Sequence, residues 1–216
     1  MKRVFVFVGG YPRCGKTTFM NYVRESCGYY GNSTSEILYD FTSKLMGSWF
    51  DFDDSDMLAA LKEKDNRFTM KLEDDYTGVY DPLPGEWAQR ELLIKTAEEA
   101  LVPVFGRELF ARASVINAMK SGQPICFLES IGGEEYAAAR YTIDQIHAYM
   151  PRKQQPIVMN INLRRHDESE VEKLDIRELL PGAYDLYHKC DSNYYPLIDD
   201  YLTQVNYVLS ESEKLS

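Results

Sequence analysis

Near the start of the chain, Gly10, Gly15, Lys16 and Thr17 have the types and spacing to hold a phosphate. They lie in the stretch GYPRCGKTTF, which reads G-x-x-x-x-G-K-T. Glycines at these two positions let the backbone turn tightly and aim several N–H groups inward. A helix starting at Lys16 adds the partial positive charge of its N-terminus. The Lys16 ammonium has the reach for β- and γ-phosphates, and the Thr17 hydroxyl is of the type that ligates Mg²⁺. Thr18 falls beside the α-phosphate, and Arg13 and Cys14 complete the loop. The chemistry expected of this stretch is donor-phosphate binding, with ATP and Mg²⁺ as cofactors.

A phosphate cradle serves many reactions, so other residues must choose among them. A GTPase would carry an N/T-K-x-D base-reading motif, which this sequence lacks. Motors and transporters end an apolar strand in Asp or Asp-Glu, whereas ICFLES ends in a single carboxylate, Glu129. Glu129 has two readings: a metal-positioning or proton-accepting acid, and a solvated strand end. Kinases of small molecules also use arginines to neutralise the transferred phosphoryl group. Arg164 and Arg165, closing the run VMNINLRR, are the candidates. Asp40, after the segment EILY, reads either as an acceptor-facing carboxylate or as a helix N-cap.

These residues need elements to position them. Arg3–Val8 reads as a central strand, and a helix follows from Lys16 to about Ser26, stopping near Gly28. Ser35–Phe50 reads as a short strand running into a helix. The polar stretch from Asp51 to Gly85 is the expected insertion, with a helix around Asp56–Lys64. Glu86–Gly122 reads as helical with a break near Pro103 and a stop at Gly122. Gln123–Ser130 has the length and apolarity of a buried parallel strand, Glu134–Met150 is helical and Gln155–Arg165 is a strand. After the charged segment His166–Glu178 come a last short strand, Tyr184–Asn193, and a helix over Tyr195–Leu209. Alternating strands and helices imply an α/β class with a parallel sheet and right-handed crossovers. A single domain over residues 1–216 is expected, with an acceptor-side insertion at about 51–85.

Composition narrows the setting. Of 216 residues, 44% are hydrophobic and 27% charged, which supports a packed core and argues against disorder. The net charge of −10 repels polyanions, so non-specific nucleic-acid binding is disfavoured. The four cysteines, Cys14, Cys27, Cys126 and Cys190, show neither C-x-x-C pairs nor zinc spacing, and reduced thiols are expected. The three histidines, His147, His166 and His188, are scattered without metal-ligating spacing. The chain enters a strand at once, carries no signal-type segment and has no membrane-length apolar run. A cytoplasmic protein with no membrane partner follows.

The motifs together resemble those of the bacteriophage deoxynucleoside monophosphate kinases, within the nucleoside monophosphate kinase-like group. That family's loop has the form G-x-x-R-S-G-K, and GYPRCGKTT keeps the arginine at Arg13. The stretch QRELLIKTAEEALVPVFGRELFARA is similar to the family's R-x-L-x-Q-x-x-G-T-D helix and the Arg-bearing turn after it. On that likeness Arg90 and Arg107 are candidates for acceptor or phosphate binding. NINLRRHDESE is similar to the strand whose arginine opens the lid, and YDLYHKCDSNYYPLIDDYL to the terminal strand, loop and helix near the donor base. The resemblance implies a P-loop NTPase fold, a parallel sheet flanked by helices with a lid or insertion. It also implies a host cytoplasm if the chain is phage-encoded, and transfer of the ATP γ-phosphoryl to a (deoxy)nucleoside monophosphate.

One departure keeps the acceptor open. Where the family has D-x-R, this chain has Glu129-Ser130-Ile131-Gly132-Gly133, without the arginine an acceptor phosphate calls for. A second reading is therefore a kinase for the hydroxyl of a 5-hydroxymethylated pyrimidine, in DNA or as a nucleotide. A third is a nucleotide-binding regulatory or assembly protein that transfers nothing. Trp49, Trp87, Tyr76 and Tyr80, in or beside the insertion, read as base-stacking candidates or as ordinary cover. Lys62, Lys64, Arg67 and Lys71 read as a solvated basic face. The candidate partners are thus a nucleotide acceptor, DNA bearing a modified pyrimidine, and a second copy of the chain in a homodimer.

Overall fold

The computed structural model describes residues 2–11, 14–45, 67–69, 86–88, 95–106, 108–129, 133–151, 154–165, 180–188 and 195–214. The chain divides into two compact units, Met1–Ile37 with Arg107–Ser216, and Leu38–Gly106.

The first unit is organised by β1 (Val4–Gly10), whose VFVFVGG run is buried at every position. A strand with apolar side chains on both faces is stable only between two covering layers. Val4, Val6 and Val8 meet Phe19, Met20 and Val23 of α1 (Lys16–Glu25) and Ile198, Tyr201, Leu202 and Val205 of α6 (Tyr195–Lys214). Phe5 and Phe7 point the other way, onto Ala111, Val115 and Ala118 of α4 (Leu109–Lys120) and Ala139 and Ile143 of α5 (Gly133–Ala148). Each buried Val, Leu, Ile, Phe or Met side chain here contributes about 1.5–3 kcal/mol relative to exposure.

Around β1 the sheet is parallel throughout, in the order β2 (Tyr30–Ser33), β5 (Ile125–Glu129), β1, β6 (Ile157–Arg165), β7 (Tyr184–His188). An α/β fold with a parallel sheet flanked by helices is therefore what the chain adopts. β1, α1, β5, α5, β6, β7 and α6 lie within a few residues of where the sequence pattern places them.

Two expectations are corrected. The segment EILY is helical: the strand is the preceding Tyr30–Ser33, and α2 (Thr34–Leu45) starts at once. The cause is a capping box in Ser33-Thr34-Ser35-Glu36. The Ser33 hydroxyl accepts from the Glu36 N–H at 3.1 Å, and the Glu36 carboxylate accepts from the Ser33 N–H at 3.0 Å. Asp40 therefore lies inside α2, exposed, and is not an N-cap. The second correction concerns Glu86–Ala88, expected to be helical but forming strand β4, antiparallel to β3 (Arg67–Thr69) with Phe68 opposite Trp87.

In the second unit the break near Pro103 takes a defined form. Thr96–Leu101 is π-helical, with the Val102 N–H bonded to the Ala97 carbonyl, and α3 (Val102–Phe105) follows. Proline supplies no N–H to the ladder, so the register shifts just before it. Gly122 closes α4 at φ +75°, as expected of a helix stop. The expected helix at 56–64 lies outside the described residues, as do Trp49, Tyr76, Tyr80 and Cys190. Cys14, Cys27 and Cys126 are free thiols, and burial raises the pKa of the latter two.

Helices α1 and α6 are joined at their exposed edge by Tyr22, which stacks on Tyr195 at 4.4 Å and donates to Asp199 Oδ1 at 2.9 Å. That bond, before burial, pushes the Tyr22 pKa up to about 12 from its ordinary value near 10. Because the folded-state value is the raised one, its stabilising contribution is complete below pH 10 and lost as pH rises through about 12. In an ultraviolet difference titration, Tyr22→Phe removes one phenol ionising near pH 12; loss of a phenol ionising near 10 contradicts the bond. Removing the cap with Ser33→Ala lowers the unfolding free energy by about 1 kcal/mol in urea melts, and an unchanged midpoint contradicts the capping box.

Candidate functional site

The loop from β1 to α1 is shaped by its glycines. Gly10 adopts φ +137°, and a Cβ there would lie 2.4 Å from the Leu163 carbonyl oxygen and 2.6 Å from Cys14 Sγ. Only a residue without a side chain fits this close approach. The Cys14 N–H returns to the Tyr11 carbonyl at 3.2 Å, and Gly15 at φ +92° begins α1. No side chain caps this helix, and no carboxylate stands in its first turn. Its N-terminal partial charge is thus offset by no acidic neighbour of its own first turn.

Lys16 bends back over the loop. Its ammonium donates to the Gly10 carbonyl at 2.5 Å and the Tyr11 carbonyl at 2.9 Å, with Cys14 Sγ at 3.9 Å. Thr17 and Thr18 are exposed on the first turn of α1. A glycine cradle that a Cβ would fill, an uncapped helix start and a lysine held over both suit a bound polyphosphate. Arg13 lies outside the described residues.

The strand ends around this loop carry the other candidates. Glu129 ends β5, in register with Val8 of β1 and Ser33 of β2. Arg164 and Arg165 continue β6 past Leu163, the partner of Gly10. In β5 and β6, Ile125, Phe127, Ile161 and Leu163 face α1 and α6, so alternation puts Glu129 and Arg165 on that same face. Arg164 falls on the other. Its guanidinium lies 3.5 Å from the Asp185 carboxylate and over the rings of Tyr11, at 5.5 Å, and Tyr187, at 5.6 Å. Asp185 also accepts from Asn162 Nδ2 at 3.0 Å, and the Asn162 side-chain oxygen accepts from the Leu180 N–H at 2.8 Å. Leu180 in turn sits against Gly9, where a Cβ would meet its Cγ at 2.6 Å.

The loop thus gains supports that the motif does not contain. Tyr11 is buried beneath Arg164, and His188, buried at the end of β7, donates from Nε2 to the Cys14 carbonyl at 2.8 Å. A signal for the first network was present: Asn162 falls between Ile161 and Leu163 in an apolar stretch, and a buried amide needs partners. Nothing in the spacing of His188 marked it. Asp40 belongs to the second unit, while Arg90 and Arg107 lie outside the described residues. Among the described residues no group of three or more His, Cys, Asp or Glu side chains forms an all-protein metal site, and no helix is long and apolar enough to cross a membrane.

No protein-family model and no curated protein matches this chain. Among solved structures it is similar to an unliganded sugar kinase from Janibacter sp. HTCC2649, at 14% identity over 95% of both chains with a TM-score of 0.39. It is also similar to a putative kinase from Chloroflexus aurantiacus J-10-fl, at 12% identity over 95% of this chain and 97% of that one, with a TM-score of 0.47. At such distances neither likeness carries a substrate or a mechanism to this chain.

The Gly10 contacts give a direct test of the loop. Gly10→Ala forces a Cβ into the Leu163 carbonyl at a backbone angle alanine rarely adopts. It lowers stability by about 1–3 kcal/mol in denaturant melts. Wild-type stability in this variant contradicts the described backbone.

Proposed function

We propose that this chain is an ATP- and Mg²⁺-dependent phosphotransferase of the P-loop kinase type, acting on a (deoxy)nucleoside monophosphate. The observation that carries the reading is the position of the Gly10–Thr18 loop. It leaves the central strand where the chain diverges to opposite sides of the sheet, β5 on one flank and β6 on the other. Ligands of open α/β sheets bind at this switch point, beyond the carboxyl ends of the strands. ATP would supply the phosphoryl group, and Thr17 and Glu129 would hold, from the protein side, an Mg²⁺ ion that shields its charge.

The chain's own residues then do the positioning. Loop amides and Lys16 hold the donor phosphates, with Thr18, Arg13 and Cys14 completing the cradle. Glu129 accepts the proton of the attacking group or orients the metal's water shell. Arg165, on the α1 face, supplies the neutralising charge, while Arg164 braces the loop through Tyr11. Asp40, Arg90 and Arg107 are the candidates for binding the acceptor. Such a site works by proximity and charge, without covalent chemistry of its own.

A second acceptor is favoured by one feature. β5 runs out in Glu129-Ser130-Ile131-Gly132-Gly133, a carboxylate with no arginine after it. That suits a neutral hydroxyl, such as that of a hydroxymethylated pyrimidine, better than a second phosphate. γ-Labelled ATP incubated with each dNMP, each NMP, and duplex DNA with and without 5-hydroxymethyluracil separates the two. Label on a mononucleotide supports the first reading; label on modified DNA alone replaces it with the second. ATP binding with no labelled acceptor supports a regulatory protein. Lys16→Ala reduces kcat by about 10²–10³-fold with the fold intact by circular dichroism, and undiminished turnover sinks the mechanism.

A further inference from the structure

The hydrogen bond from His188 reaches the loop from β7, the edge strand of the sheet, and it acts on a particular peptide group. A carbonyl oxygen only accepts, so the 2.8 Å contact requires the proton on Nε2 and fixes the imidazole tautomer. The carbonyl belongs to the Cys14–Gly15 peptide, whose N–H is that of Gly15. Across a planar trans peptide, C=O and N–H point in opposite directions, and no peptide among the described residues is cis. Holding the oxygen toward β7 therefore turns the Gly15 N–H the other way.

Local sterics alone do not make this choice. Gly15, at φ +92° and ψ +13°, has no Cβ to oppose a rotated peptide. On the other side of Cys14, its N–H is already committed to Tyr11. The imidazole is buried, so water does not compete freely for the bond. We infer that His188 is a positioning residue: its Nε2–H selects the orientation of the Cys14–Gly15 peptide and so aims the Gly15 amide at the donor phosphate. The inference rests on reading the β1–α1 loop as a phosphate cradle.

Glutamine places an amide N–H at the reach of Nε2 but does not ionise, and leucine fills similar space without a donor. In ¹⁵N spectra of the nucleotide-free protein, His188 carries its proton on Nε2. By isothermal titration with ATP, folded His188→Leu binds about tenfold more weakly, the scale of one lost hydrogen bond, while His188→Gln stays within about threefold of wild type. A bare Nε2, or leucine and wild-type proteins of equal affinity, overturns the role. If leucine does not fold, a folded glutamine variant that loses tenfold overturns it, and one that keeps wild-type affinity supports it. Wild-type protein with the Nε2–H tautomer that binds no ATP overturns the cradle reading and this role together. A bare Nε2 in a protein that does bind ATP overturns the role alone.

Discussion

The burial of β1 on both faces is the constraint from which the rest of the structure follows. A strand with valines on one side and phenylalanines on the other cannot be satisfied by one layer, so helices must cover it twice. Its backbone must also be paired on both edges, and β5 and β6 do this in parallel. The chain can leave such a strand only at its carboxyl end. There it meets the Leu163 carbonyl so closely that Gly10 has no room for a side chain. The tight loop, the left-handed Gly15 and the uncapped start of α1 are consequences of that exit.

Electrostatics gives the exit its character. The chain carries a net charge of −10, which disfavours the approach of an anion, yet Lys16, Arg164 and Arg165 gather near the loop with the start of α1. Screening confines most of the acidic field to about 8 Å, so local cations and dipoles set the potential there. The two arginines of β6 are divided by strand alternation: one is tied to Asp185 and the aromatic rings, while the other is turned to the α1 side. Neighbours in sequence thereby acquire different surroundings.

Much of this was legible in the residues. The apolar run and the helical pattern on either side of the G-x-x-x-x-G-K-T spacing specify a strand, a loop and a helix, and the structure has β1 at Val4–Gly10 and α1 at Lys16–Glu25. The parallel sheet was readable from runs such as ICFLE, too apolar and too short for anything but a buried strand. The assignment of EILY to a strand failed because β-branched and aromatic residues outweighed the capping box in Ser33–Glu36, a local hydrogen-bond signal that hydropathy does not contain. Glu86–Ala88 failed for another reason. A short strand exists only through its partner, here Arg67–Thr69, whose Phe68 pairs with Trp87 far beyond the range of any helical period.

By itself, then, the sequence determined the strand and helix on either side of the glycine-bearing loop, the α/β class and the carboxylate that ends β5, because each depends on short-range patterns of residue type. Only the tertiary structure decided that Tyr11 lies under Arg164, that Asp185 is shared by Arg164 and Asn162, and that His188 holds the Cys14 carbonyl. These contacts join residues far apart in the chain, such as Cys14 and His188, which come together when β7 joins the sheet. The pairing of distant strands is set by the packing of the whole core, which no local pattern encodes.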